Sequence, residues 1–132
     1  ADSDSSTTRL ASAAVMSAVQ WKLDNLIAIV DFNDQQADGK TTAALAQVPE
    51  VGRWSAFGWF AQEVDGNDMD AVVAAFDAAR NHTAAQPRVI ICKTRMCKGI
   101  PFLEDREITH FVRVEPAEWA RALEILDEGK PA

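Results

Sequence analysis

Apolar residues occur along this chain in short continuous runs, separated by stretches where they recur every three or four positions. The runs are Leu26–Phe32 in "LIAIVDF", the segment from Trp59 in "GWFAQEVDG", and "RVIICK" after Pro87. Each is β-branched or aromatic-rich and bounded by turn residues, and none alternates cleanly, which predicts strands buried on both faces. Between them lie helical patterns. In "TTRLASAAVMSAVQWK", Leu10, Ala13, Ala14, Ser17 and Trp21 form one stripe behind capping Ser and Thr residues, and "PEVGRWSAF", Pro49 to Phe57, predicts a short helix. "DMDAVVAAFDAAR", Asp68 to Arg80, sets Met69, Val72, Val73, Phe76 and Ala79 on one face, with Asp68 and Asp70 at the positive end of the helix. In the tail "EPAEWARALEILDEG", Pro116 suits the first helical position and Trp119, Ala122, Leu123 and Leu126 follow at i, i+3, i+4 and i+7. Continuous strands alternating with helices predict an α/β fold, a parallel β-sheet flanked by helices on both faces.

Such sheets gather ligands where their strands end at the carboxyl edge. The first strand runs directly into Asn33, Asp34, Gln35, Gln36, Asp38 and Gly39, so a row of oxygen-bearing side chains stands at that edge. The other polar groups read structurally. Asp65, Asn67 and Asp68 form a strand-to-helix turn and helix cap. His82 falls at a helix end, and the Trp54/Trp59 pair belongs to the core or a subunit interface. Arg95 and Lys98 are loop cations whose ordinary role is solvated charge.

Composition narrows the function. The chain has 132 residues, 48% hydrophobic and 25% charged, which suits one globular domain with many small alanines in its core. A net charge of −7 and no Lys/Arg cluster argue against nucleic acid as a partner. No apolar run approaches the ~20 residues that cross a bilayer, and no signal-peptide pattern is visible, so the expected location is cytoplasmic, without a membrane partner. Cys92 and Cys97 match neither a redox pair nor half of a zinc site. Cys92 reads as a buried small hydrophobe, and Cys97 as a partly accessible loop thiol.

The chemistry-bearing motifs are few. His82 and His110 are the two histidines, no Ser lies in a Gly-x-Ser-x-Gly elbow, and the glycine patterns of Walker and Rossmann phosphate loops are absent. A phosphate would have to be held through a metal. Mg²⁺ accepts hard oxygen ligands from one or two protein groups together with phosphates and water, and an Asp with an Asn at neighbouring strand ends would serve.

The blocks "KLDNLIAIVDFNDQQADG", "FGWFAQEVDGNDMDAVVAAF" and "PRVIICKTRMCKGIPFLE", followed by His110, resemble in order and spacing the thiamine diphosphate-binding domain of transketolases, especially the separately encoded N-terminal subunit of split transketolases. The resemblance implies a thiamine diphosphate-binding fold, of which residues 1–132 would be one partial domain, its C-terminal half. It implies thiamine diphosphate and Mg²⁺ as cofactors. Asn33 matches the family's metal-binding Asn, and Gln35 the residue whose backbone carbonyl completes the metal shell. The acidic ligand falls on Asp2, or on Asp4 in a shifted register, where "ADSD" lacks the family's two glycines. His110 matches the histidine on the diphosphate and substrate side, and so is the candidate catalytic residue as well as a cofactor contact. Departures are Thr109-His110-Phe111 in place of Trp-His-Gly, Met96 where Lys is frequent, and Cys97 where Gly is frequent.

The resemblance further implies a transferase moving a two-carbon ketol unit between sugar phosphates, in a homo- or hetero-oligomer. A second transketolase subunit would bring the pyrimidine-binding domain and the glutamate that activates the cofactor, so this chain is not expected to act alone. A non-catalytic module that keeps the fold without a working metal turn is the alternative. A related decarboxylase or deoxyxylulose synthase fits the "KGIPF" block less well.

Overall fold

The computed structural model describes residues 13–33, 35, 36, 39, 40, 50–104, 106 and 113–129. They fall into two compact units. One comprises the described residues up to Asp31 together with those from Glu50 to Lys93. The other comprises those from Phe32 to Lys40 and from Thr94 onward.

The first unit is built on three strands, β1 (Ile27–Phe32), β4 (Phe60–Asp65) and β5 (Arg88–Lys93), in the order β1-β5-β4. β4 and β5 are parallel, with Phe60 opposite Arg88 and Asp65 opposite Lys93. Arg88 N–H donates to the Leu26 carbonyl and Thr94 N–H to the Phe32 carbonyl, a constant offset that sets β1 parallel to β5. The central strand β5 is buried from Arg88 to Cys92 on both faces, as its unbroken apolar run predicts.

Helix α1 covers residues 13–20, α2 is Glu50–Ala56 and α3 is Met69–Asn81. α3 packs on β4 and β5. Ala75 and Ala79 meet Ile90 and Cys92 there, joined by Ile27, Val64 and Phe76. The small alanines let the helix approach the sheet closely. Its buried face is Val72, Ala75, Phe76 and Ala79, whereas Met69 and Val73, expected on that face, are exposed. Two alanines define a helix face as well as large residues do, but a hydrophobicity pattern ranks them lower.

Two other expectations change similarly. β1 is not fully buried: Ile27 packs against the α3 cluster, but Ile29, two residues further along the same face, is 59% exposed. Trp21 does not close the α1 stripe but sits 76% exposed in the turn that ends the helix. There Lys22 has φ of 48°, Lys22 N–H donates to the Val19 carbonyl, and Leu23 N–H donates to the Ala18 carbonyl. This is the paired hydrogen-bond pattern of a left-handed helix C-terminus. The inward face of α1 is Val15, Ala18 and Val19: the Val15 carbonyl accepts from Trp59 Nε1 at 3.0 Å, and Ala18 is buried. Trp54 and Trp59 meet edge to face at 4.8 Å, in keeping with their expected core role.

The second unit contains a short antiparallel pair, β2 (Gln35–Gln36) with β3 (Gly39–Lys40), and the helices α4 (Pro101–Glu104) and α5 (Pro116–Glu128). Ile100, Leu103 and Ala122 form its core, with Cys97, Phe102 and Val114 packed against them. Pro116 stands in the first turn of α5 as expected. Its buried position is Ala122, while Trp119, Leu123 and Leu126 are exposed, so the inward face is turned away from the large apolar residues. Among the described residues no helix is long and apolar enough to cross a membrane.

Candidate functional site

β1 stops at Phe32, whose carbonyl accepts from Thr94 N–H at 3.2 Å, so the segments leaving β1 and β5 start side by side at the carboxyl edge of the sheet. The next residue, Asn33, is half-buried, and its Oδ1 accepts the N–H of Gln35 at 3.0 Å. A side-chain oxygen bound to a backbone N–H two residues on is an Asx turn, which reverses the chain without help from glycine. It fixes the direction of the Asn33 amide and carries Gln35 into β2, where it lies opposite Lys40. Two of the expected cofactor residues are thereby held in one turn. Asp2 and His110 lie outside the described residues.

A loop from Thr94 to Ile100 follows β5. Cys97 has φ of 57° and Gly99 φ of 95°, two left-handed positions in three residues. The loop is fastened from within: Glu104 Oε1 accepts from Gly99 N–H at 2.7 Å, and Glu104 Oε2 pairs with Arg95 Nε at 3.0 Å. Arg95, expected to be a solvated cation, is therefore held by the carboxylate that ends "KGIPFLE". The sequence pattern does not single out Glu104, although an Arg and a Glu bracketing a glycine in one short loop is a signal for such a clasp.

The other polar groups keep structural roles. Asp68 Oδ1 accepts from the N–H groups of Asp70 and Ala71 at 3.0 and 3.2 Å, and Asp65 Oδ1 from Asn67 N–H at 2.9 Å, so these residues make the turn and cap expected of them. His82 ends α3 with its ring stacked on Phe60 at 4.0 Å and within 2.9 Å of Gln86 Nε2. Cys92 is buried and Cys97 half-buried, and both thiols are free. Burial, followed by the negative charge of Asp31, raises the Cys92 pKa above the ordinary 9.0.

The site suits a hard cation at the level of donor chemistry. An amide oxygen carries two lone pairs, so the turn hydrogen bond and a metal bond are compatible at the same Asn33 atom. Among the described residues no three His, Cys, Asp or Glu side chains gather into a metal centre. The expected set of one carboxylate, one amide oxygen and one backbone carbonyl does not require them to.

Residues 4–126 match the family described as transketolase, thiamine diphosphate binding domain. The chain is 57% identical to an uncharacterized transketolase family protein of Sinorhizobium fredii, over 90% of this chain and 43% of that one. It is 33% identical to a 6-deoxy-6-sulfo-D-fructose transketolase subunit of a Clostridium species, over 87% of this chain and 42% of that one. It is 35% identical to an apulose-4-phosphate transketolase subunit of Phocaeicola vulgatus, over 69% and 32%. The chain thus spans less than half the length of these curated relatives. Among solved structures, the transketolase of Campylobacter jejuni shares the fold with a TM-score of 0.65 at 24% identity, over 87% of this chain and 22% of that one. A Pichia stipitis transketolase mutant solved with fructose 6-phosphate gives 0.61 at 26% identity, over 89% and 20%.

Proposed function

Because the chain belongs to the family of the transketolase thiamine diphosphate-binding domain, we propose that it is the cofactor-binding component of a Mg²⁺-dependent transketolase that moves a two-carbon ketol unit between sugar phosphates. The observation that carries this reading is the Asn33 turn, with its amide oxygen fixed by Gln35 N–H at 3.0 Å at the carboxyl edge of a parallel sheet. Thiamine diphosphate, when bound, supplies the nucleophilic carbon of the reaction. This chain's part is to hold and orient it. Asn33 Oδ1, the Gln35 backbone carbonyl and the Asp2 carboxylate are the groups that would hold Mg²⁺, which would supply charge neutralisation for the diphosphate. His110 is assigned to the diphosphate and the substrate. The Glu104 clasp fastens the loop after β5, which lowers the ordering that binding requires.

Two of the relatives are named as transketolase subunits, which supports a partner subunit bearing the pyrimidine side of the site. The assembly would be a homo- or hetero-oligomer. The test is a ketol-transfer assay on the protein combined with its partner chain, supplied with thiamine diphosphate, Mg²⁺ and sugar phosphates. Asn33→Ala is expected to lower the rate by about 10- to 100-fold, the range for disturbing a metal's supporting groups. No transfer by the complete assembly would favour the alternative, a non-catalytic transketolase-like module, whose support is the glycine-free "ADSD".

A further inference from the structure

The first unit is apolar at two places that its structure leaves open. β1 reads IAIVDF, an apolar run with Asp31 as its single charge, and such runs belong to parallel strands covered on both faces. In the order β1-β5-β4 it nevertheless lies at an edge, and no described strand pairs beyond it. Edge strands are normally blunted by lysine or proline, and β1 contains neither. The Leu26 and Phe32 carbonyls accept from the β5 side, so strand alternation turns the N–H and C=O groups of Ile27 and Ile29 toward the open side. The second opening lies beside the first. Met69, Val73, Phe76 and Arg80 follow one another at helical spacing along one side of α3. Arg80 lines a cavity with Asp24, Asn25 and Ile27 at the start of β1, so that side of α3 overlooks β1. An apolar groove runs between them, with Ile29 59%, Val73 53% and Met69 67% exposed.

We propose that this edge and groove dock a strand and helix of a further polypeptide, the strand pairing parallel with β1 and the helix laying its apolar side between Ile29 and Val73. Parallel strands carry their helices on the faces of the sheet, so one strand–helix unit fills both openings. Backbone groups along β1 give the strand its register, and the exposed Ile29, Val73 and Met69 give the helix its anchors. The Sinorhizobium fredii relative has the length to supply such a unit, since the match takes in 90% of this chain and 43% of that one. A second copy of this chain fits less well. A two-fold axis would set two β1 strands antiparallel and join two chains that each carry a net charge of −7. The proposal rests on membership of the family and not on the Mg²⁺ reading, whose failure would leave it standing.

The experiment refolds the 132-residue protein together with a polypeptide made of the part of the Sinorhizobium fredii relative that lies outside the match. Mass is read by light scattering and amide hydrogen exchange by NMR. A one-to-one complex is expected, with exchange at Ile27 and Ile29 slowed at least about tenfold relative to the protein alone. Ile29 is exposed, so Ile29→Lys keeps the fold, which circular dichroism checks, and should weaken the complex at least about tenfold by bringing a charge into the apolar groove. Absence of a complex, unchanged exchange at Ile27 and Ile29 within it, or equal binding by Ile29→Lys would each overturn the proposal. So would a homodimer of the protein alone that protects the same two amides.

Discussion

Asn33 shows how one side chain can end a strand and fix the direction of its own amide oxygen. Its turn to Gln35 N–H is ordinary loop chemistry, yet it fixes an oxygen at the edge where an α/β sheet collects ligands. Other residues reveal local demands on the backbone. Lys22 adopts φ of 48° at the end of α1, a conformation that disfavours any residue with a Cβ. Lys22→Gly should therefore raise the unfolding free energy by about 1 kcal/mol, measured by urea denaturation. Cys97 has φ of 57° at a position where the resembled family frequently has Gly. The departure legible in the sequence is thus a backbone constraint carried by a less suited residue. For Cys92, burial and Asp31 disfavour the thiolate. The folded-state pKa is raised, so this contribution to stability is intact below the ordinary thiol value of 9.0 and is lost as pH rises above it. A thiol reagent at about pH 8 should label the half-buried Cys97 first and reach the buried Cys92 only as the protein unfolds, as peptide mapping would show.

Among the elements, strands were more legible than helix faces. "RVIICK" could only be a strand covered on both sides, and it is one. Ala79 and Ala122 are buried on the faces assigned to them, but Met69 and Val73 of α3 and Trp119, Leu123 and Leu126 of α5, assigned to the same faces, are exposed, and Ala75, which was not assigned, is buried. Closeness of approach decided those faces, and hydrophobicity alone does not encode it. The loop after β5 could be read as a motif but not as a clasp, since pairing Arg95 with Glu104 requires the chain to turn back on itself. Glu104→Ala should leave the sheet intact, expose the Gly99 amide to hydrogen exchange, and destabilise the second unit by about 1–2 kcal/mol, given the exposure of Arg95. At the start of α5, Glu118 Oε2 accepts from Glu115 N–H at 2.9 Å, and its other oxygen pairs with Arg106. The Glu115 hydrogen bond above all, and Arg106 after it, lower the Glu118 pKa from the ordinary 4.5. A lowered carboxyl pKa stabilises the fold above 4.5 and loses that effect as pH falls through the folded-state value. Replacing Glu118 with Gln should flatten this part of an acid-denaturation curve followed by circular dichroism.

For the whole molecule, the order β1-β5-β4 puts the first and last of the described strands next to each other. The segments leaving them, which carry Asn33 and the Glu104 clasp, consequently begin at one edge. Alternation of runs and helical patterns made the fold class legible, but it could not give the strand order, because any of several parallel orders satisfies the same alternation. The family was legible from three blocks of sequence, and the match over residues 4–126 bears it out. Under the proposed function, this chain holds the diphosphate of thiamine diphosphate through Mg²⁺ at Asn33. Calorimetric titration of thiamine diphosphate into the protein assembled with its partner, with and without Mg²⁺, tests it most directly when repeated on Asn33→Ala. The account predicts binding that requires Mg²⁺ and weakens at least about tenfold in the variant, from loss of an oxygen ligand. Binding of equal strength without Mg²⁺, or undiminished in Asn33→Ala, would contradict it.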